Sequence, residues 1–258
     1  MYDNVIVDRD GKIATVTVDR PEKRNAMDIP TRKELRGAFE DVVDDDAIRV
    51  IVLRGAGEGN FIAGGDIQSF AEHTMLSAME YIDTHAQGLY NYVANVPKPV
   101  IAGIDGHAFG GGLEISCAAD VRVAQTGVKM GLTEVGLGIL PAGGGTQRLT
   151  ELVGASIAKD MILTGKAISA ERAKEIGLVN YLHDEDGFEE GLYDVADEIA
   201  DNAPIALKFA KASVNRAMNL EPGLDFERAA GTVVFGTEDK QEGAEAFLED
   251  RDPEFEGR

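Results

Sequence analysis

The chain has 258 residues, with 25 lysines and arginines against 46 aspartates and glutamates, a formal net charge of −21. That excess speaks against nucleic-acid binding, which needs a basic face to neutralise phosphates, and against docking on anionic membranes. Cys117 is the only cysteine, which excludes an internal disulfide framework and a thiolate zinc cluster and predicts a reducing compartment. Hydrophobic residues make up 44% of the chain, an ordinary share for a globular protein. The start of the chain lacks a signal-peptide pattern, and no apolar run approaches the roughly 20 residues that span a bilayer. The expected setting is cytoplasmic. The acidity reads as adaptation to a salt-rich cytoplasm, where a carboxylate surface keeps the protein soluble and its self-repulsion is screened.

In chain order, Asn4–Asp10 and Lys12–Asp19 are β-rich runs meeting at Gly11, which predicts a hairpin. A loop from Arg20 to Pro30 follows. Thr31 and Glu34 form a capping-box pattern, and Leu35, Phe39, Val42 and Val43 give a helical apolar face. Asp44-Asp45-Asp46 lacks the spacing of a calcium loop and reads as a solvated helix end. Ile48–Leu53 predicts a buried strand, Gly55–Asp66 a glycine-rich loop, and Leu76–Val96 a helix. Val100–Ile104 predicts a second buried strand, Leu113–Ala119 a helix, and Val121–Val123 a third strand. Strands alternating with helices at this spacing predict an α/β sheet. From Thr146 onward the pattern is mostly helical, with a strand at Leu178–Leu182 and a helix at Ala203–Met218.

Common templates fail. No phosphate-binding P-loop is present, and Pro141 stands where a dinucleotide fingerprint after Gly136 needs glycine. His73, His85, His107 and His183 are scattered without ligand spacing, and Ser156 reads as a helix cap. Two glycine turns remain, Phe61–Ile67 and His107–Glu114, each after a strand and before a helix. Such turns present backbone N–H groups, and two of them could aim two N–H groups at one carbonyl oxygen. Either turn alone needs no more explanation than a tight bend. Glu114 and Glu134 lie in charge-poor segments, where a desolvated carboxylate has a raised pKa suited to general acid–base work. Spacing alone leaves open whether one of them is an exposed loop residue.

The chain resembles the crotonase superfamily, and within it the enoyl-CoA hydratases. The resemblance is carried by Arg20–Met27, Phe61–Ile67, Pro97–Ala102, Gly106–Glu114, Glu134–Leu149, Leu163–Gly165, Ala170–Ala173 with Gly177–Asn180, and Thr237–Asp239 with Glu242-Gly243. It implies a crotonase-like α/β spiral of ββα units over residues 1–200 and a helical C-terminal trimerisation region over 201–258. It implies a trimer or dimer of trimers, and an acyl-CoA substrate whose thioester oxygen is held by the amides of Gly65 and Gly111. No separate cofactor or metal is implied, because coenzyme A enters with the substrate. Glu114 is implied as the base that activates water and Glu134 as the acid that protonates Cα. Lys23, Arg24, Ala26, Ala63, Asp66, Ile67, Gln68 and Arg228 are implied substrate contacts, with Arg20 in the same basic loop. Having both glutamates favours hydration over Δ3,Δ2-enoyl-CoA isomerisation. Gly65, Gln68, Ala142 and Gly231 depart from common family residues.

Overall fold

β1 (Val5–Asp10) and β2 (Ile13–Val18) form the expected hairpin, paired antiparallel with Asp10 opposite Ile13. The computed structural model describes residues 2–66, 74–217, 228–229, 231–233, 236–249 and 251–258. Strand β3 spans Val50–Gly55, β5 Val100–Ile104, β7 Val121–Gln125 and β10 Tyr181–His183. With the hairpin they form one sheet in the order β1-β2-β3-β5-β7-β10, parallel beyond the hairpin. Continuous apolar runs suit this sheet, because alternate residues of one strand point to opposite faces and both faces are covered. Ile51 and Leu53 enter one core, while Val50 and Val52 enter a second with Phe188, Leu192 and Val195. The latter three lie on the helix Phe188–Ala200.

Helix α1 spans Ile29–Val43 and begins before the expected Thr31–Glu34 box. Asp28 is the cap. Its Oδ1 accepts the Thr31 N–H at 2.9 Å and the Thr31 hydroxyl at 2.6 Å, an arrangement worth about 1 kcal/mol. Pro30 falls in the first turn, where a missing N–H is tolerated. Glu34 instead accepts the N–H groups of Asp3 and Asn4 at 3.0 and 2.7 Å.

The helix expected over Leu76–Val96 is interrupted. It runs as α2 (Met75–Glu80), a π-helical segment (Tyr81–Gln87) and α3 (Gly88–Asn95). A second sheet, which the sequence pattern did not reveal, is built from strands of two or three residues. These are β4 (Asn60–Ile62), β6 (His107–Phe109), β8 (Lys129–Gly131) and β9 (Ile168–Ser169), in that order. Helix α4 (Gly111–Ala118) follows β6, and a 3-10 turn (Glu134–Leu137) follows β8. This small sheet therefore leads into the helix that carries Glu114 and the turn that opens on Glu134.

Further helices among the described residues are α5 (Gly145–Val153), α6 (Ala155–Thr164), α7 (Ala170–Glu175), α8 (Phe188–Ala200), α9 (Pro204–Val214) and α10 (Glu238–Glu249), with short helical pieces at 228–229 and 231–233. Ser156 is not a cap. Gly154 holds that position, and Ser156 is an exposed residue of the first turn. Lys211 on α9 pairs with Asp120 at 2.7 Å and donates to the Lys98 carbonyl at 3.0 Å, fixing α9 to the sheet. Among the described residues no helix is long and apolar enough to cross a membrane.

Candidate active site

The two glycine turns meet. A Cβ added at Gly64 would lie 3.1 Å from the Phe109 carbonyl and 3.4 Å from the Gly111 nitrogen. Gly64 takes φ +100°, which side-chain-bearing residues rarely adopt. The Met27 N–H donates to the Gly64 carbonyl at 2.8 Å, and the Ala63 N–H to the Arg24 carbonyl at 3.1 Å. The Arg20–Met27 loop is thus laced to the first turn. Gly111 opens α4, so its N–H belongs to the unpaired donors at a helix start. Among the described residues neither the Gly65 nor the Gly111 N–H has a hydrogen-bond partner. Both glycines line a cavity of about 440 Å³. Its apolar wall includes Ala78, Ile82, Ala86, Leu137, Ile139 and Leu140.

Both glutamates face this cavity and both are buried, Glu114 at 5% exposure and Glu134 at 9%. Their surroundings differ. Glu114 Oε1 accepts the Gly143 N–H at 2.8 Å and the Gly145 N–H at 2.9 Å. Burial raises the Glu114 pKa, while those two amides, Arg32 and Arg148 act against the rise. Glu134 Oε2 is buried and has no hydrogen-bond partner among the described residues. Burial, reinforced by the charge of Glu114, pushes the Glu134 carboxyl up to about 7. The two carboxylates sit in unlike environments, Glu114 held by the amides of two other residues and Glu134 with one buried oxygen left unpartnered among the described residues, and such differences push two carboxyl pKa values apart. Gly110, at φ +51°, clears the space between the turn and Glu134, since a Cβ there would lie 3.1 Å from Glu134 Oε1.

Of the residues expected from sequence, Glu114, Glu134, Gly65, Gly111 and Ala63 line the cavity. Lys23, Arg24, Ala26, Asp66 and Arg228 do not. Lys23 and Arg24 are exposed beside the first turn. Arg228 lies in a helical stretch where its carbonyl accepts the Thr232 hydroxyl at 2.9 Å. Ile67 and Gln68 lie outside the described residues, as does His73. Arg20 is withdrawn from the basic loop. It pairs with Asp28 at 2.9 Å and donates to the Ala26 carbonyl, bracing the loop internally. His107 Nδ1 accepts the Lys129 N–H, a structural role. Among the described residues no cluster of His, Cys, Asp and Glu could hold a metal ion.

One group escaped the sequence reading. Arg32, 3% exposed, lines the cavity with its guanidinium over the rings of Tyr81 and Tyr90, each 5.3 Å away. It donates to the Tyr90 hydroxyl at 2.8 Å and to the carbonyls of His85 and Met27, both at 3.3 Å. Burial pushes both tyrosine hydroxyls up, so they stay neutral. Arg32 stands three residues before Leu35 and seven before Phe39. That spacing puts it on the buried stripe of α1 and was the available signal.

Comparison with known proteins supports this geometry. Residues 8–258 match a family model described as enoyl-CoA hydratase/isomerase. The chain is 38% identical to the short-chain-enoyl-CoA hydratase of Clostridium acetobutylicum, covering 96% of this chain and 95% of that one. It is 36% identical to the crotonyl-CoA hydratase of Syntrophomonas wolfei, with 98% of each covered. The crystal structure of an enoyl-CoA hydratase from Bacillus anthracis superposes with a TM-score of 0.95 at 36% identity, covering 99% of this chain and 100% of that one.

Proposed function

The chain belongs to the enoyl-CoA hydratase/isomerase family, and from that premise we propose that it adds water reversibly to a trans-2-enoyl-CoA, giving the 3-hydroxyacyl-CoA. The observation that carries this reading is the pairing of two buried carboxylates, Glu114 and Glu134, on one cavity lined by the Gly65 and Gly111 amides. The thioester oxygen sits between those amides, which withdraw electron density and make Cβ electrophilic. Glu114 takes a proton from water as its oxygen bonds to Cβ. The π electrons move onto the thioester oxygen as an enolate, and Glu134 delivers its proton to Cα. Dehydration reverses each transfer. Negative charge grows on the thioester oxygen along this path, so the amides stabilise the transition state more than the bound substrate.

Isomerisation of a Δ3 double bond needs one proton shuttle and no water, so a second buried carboxylate supports hydration instead. Lys23, Arg24, Ala26, Asp66, Ile67, Gln68 and Arg228 are assigned to the coenzyme A portion and the mouth of the site, and Ala63 to the oxyanion turn. Coenzyme A enters as part of the substrate, and the chemistry uses only protein groups and water. Residues 1–200 form the catalytic core, and 201–258 the region through which three copies assemble, singly or as paired trimers. The acidity fits work in a salt-rich cytoplasm.

The test is hydration of crotonyl-CoA, followed by loss of its conjugated-thioester absorbance. The purified protein should show this activity, and Glu114→Gln or Glu134→Gln should lower turnover by several orders of magnitude while thioester binding persists. Wild-type turnover in either variant rejects the two-carboxylate assignment.

A further inference from the structure

Arg32 carries a charge that the chemistry above does not use. Guanidinium stays protonated in proteins, yet among the described residues no carboxylate lies within salt-bridge distance of it. The Asp28 carboxylate, four residues before Arg32, is occupied by Arg20 at 2.9 Å and by Thr31, and Glu34, two residues after it, accepts the N–H groups of Asp3 and Asn4. The Arg32 donors go to two carbonyls and to the hydroxyls of Tyr90 and Tyr81. A buried cation whose hydrogen bonds go to neutral groups is costly, and attraction to a nearby carboxylate offsets part of that cost.

The field falls on the catalytic turn. Arg32 Nη2 lies 3.3 Å from the place a Cβ on Gly111 would occupy, and the Tyr90 hydroxyl 2.8 Å from the same place. The Tyr90 ring edge and Glu114 Oε2 lie 2.5 and 2.6 Å from the corresponding point at Gly143. A continuous packed path therefore runs from Arg32 through Tyr90 to the Glu114 carboxylate. The other titratable or charged groups facing Glu114 are Glu134 from its 3-10 turn, Arg148 from α5, Tyr81 from the π-helical segment, Tyr90 from α3 and Cys117 on α4 itself. The tyrosines and the cysteine are neutral near pH 7, burial having pushed each upward. Arg148 is partly exposed and engaged with the Gly143 carbonyl and Asn91. Arg32 is the buried cation of the set.

We propose that Arg32 is a positioning residue for hydration, whose buried charge, set against Gly111 and Tyr90, keeps Glu114 ionised as the base while Glu134 holds the proton. The proposal rests on the two-carboxylate reading. Arg32 touches no reacting atom in that scheme. It acts through Glu114 and through the fixed placement of Tyr90.

The experiment is the pH dependence of crotonyl-CoA hydration by wild type, Arg32→Met and Arg32→Lys, with circular dichroism to establish folding. Without the charge, the acid limb of the kcat profile should move up by about one pH unit or more. At the acid end this reads as a loss of roughly tenfold in kcat, with KM changed by less than about threefold. The lysine variant, which restores a cation, should return the limb most of the way. A folded Arg32→Met protein with an unmoved acid limb overturns the proposal. Should that variant not fold, Arg32→Gln, which retains amide donors without the charge, takes its place with the same criterion. Glu114→Gln separates the two ideas. If it keeps wild-type turnover, the two-carboxylate reading fails and takes this inference with it. If it is inactive and the limb does not move, the Arg32 inference alone fails.

Discussion

Gly143 donates its N–H to Glu114 Oε1 at 2.8 Å, and a methyl group on Gly143 would lie 2.6 Å from Oε2 of that carboxylate. The same methyl would lie 2.5 Å from the Tyr90 ring. The residue therefore orients the proposed base by what it offers and by what it leaves out. Gly143→Ala should push either Glu114 or Tyr90 aside. A displacement near 1 Å at a reacting group costs roughly 100-fold in rate, so kcat for crotonyl-CoA should fall on that order. KM should change far less, because the Gly65 and Gly111 amides, the proposed oxyanion donors, are not touched. Overpacking should also lower stability by about 1–3 kcal/mol. Steady-state kinetics and a denaturant melt check both; an alanine variant with wild-type kcat would mean that the pocket yields without moving Glu114.

The buried carboxylate of Glu134 should cost stability in a pH-dependent way. Its pKa stands at about 7 in the folded chain against an ordinary 4.5. A raised pKa means that folding favours the protonated form. The associated stability is fully present below pH 4.5 and is lost as pH rises through 7. The loss is about 3 kcal/mol at its greatest. Glu134→Gln mimics the protonated acid at every pH. It should melt at a higher temperature than wild type at pH 8, with the gap closing as pH falls toward 4. Calorimetry at the two pH values decides the matter, and a wild type more stable than the variant at pH 8 contradicts the assigned burial. Lower activity joined to higher stability is the expected signature of a strained functional group.

Legibility followed element length and chemistry. The sheet strands at 50–55 and 100–104 announce themselves because a run buried on both faces must be apolar throughout. Strands β4, β6, β8 and β9 have two or three residues each, too few for any period to register, so β4 and β6 register only as parts of the two glycine turns and β8 and β9 not at all. The start of α1 was displaced because Asp28, three residues before Thr31, is an equally good cap and Pro30 favours the first turn. The π-helical segment at 81–87 leaves no residue pattern of its own, since it is one extra residue accommodated by neighbours. Glu114, Glu134 and both glycine turns were visible as rare features in bland segments. Arg32 was hidden by the habit of placing arginine on a surface, and its neighbour Lys33, which is exposed, reinforced that reading. The pairing of Arg20 with Asp28 was hidden too, because a turn's internal bonds depend on its three-dimensional path.

The charge of −21 sets the last expectation. Coenzyme A is itself polyanionic, so the surface of this chain repels its proposed substrate in dilute buffer. Lys23 and Arg24 stand exposed on the loop whose Arg24 carbonyl accepts the Ala63 N–H, one residue from Gly64 and two from Gly65. They offer local positive charge beside the first glycine turn, the proposed mouth of the site, while Arg20 is paired with Asp28. Salt screens the long-range repulsion first, because the Debye length falls from roughly 30 Å at 0.01 M to about 3 Å at 1 M. KM for crotonyl-CoA should therefore fall as potassium chloride is raised from about 0.01 M, with kcat changing less. The double variant Lys23→Ala, Arg24→Ala should have a higher KM at low salt, and the difference from wild type should shrink as salt is added. A wild-type KM that rises or stays level, with folding confirmed by circular dichroism, would show that the acidic surface does not govern thioester capture.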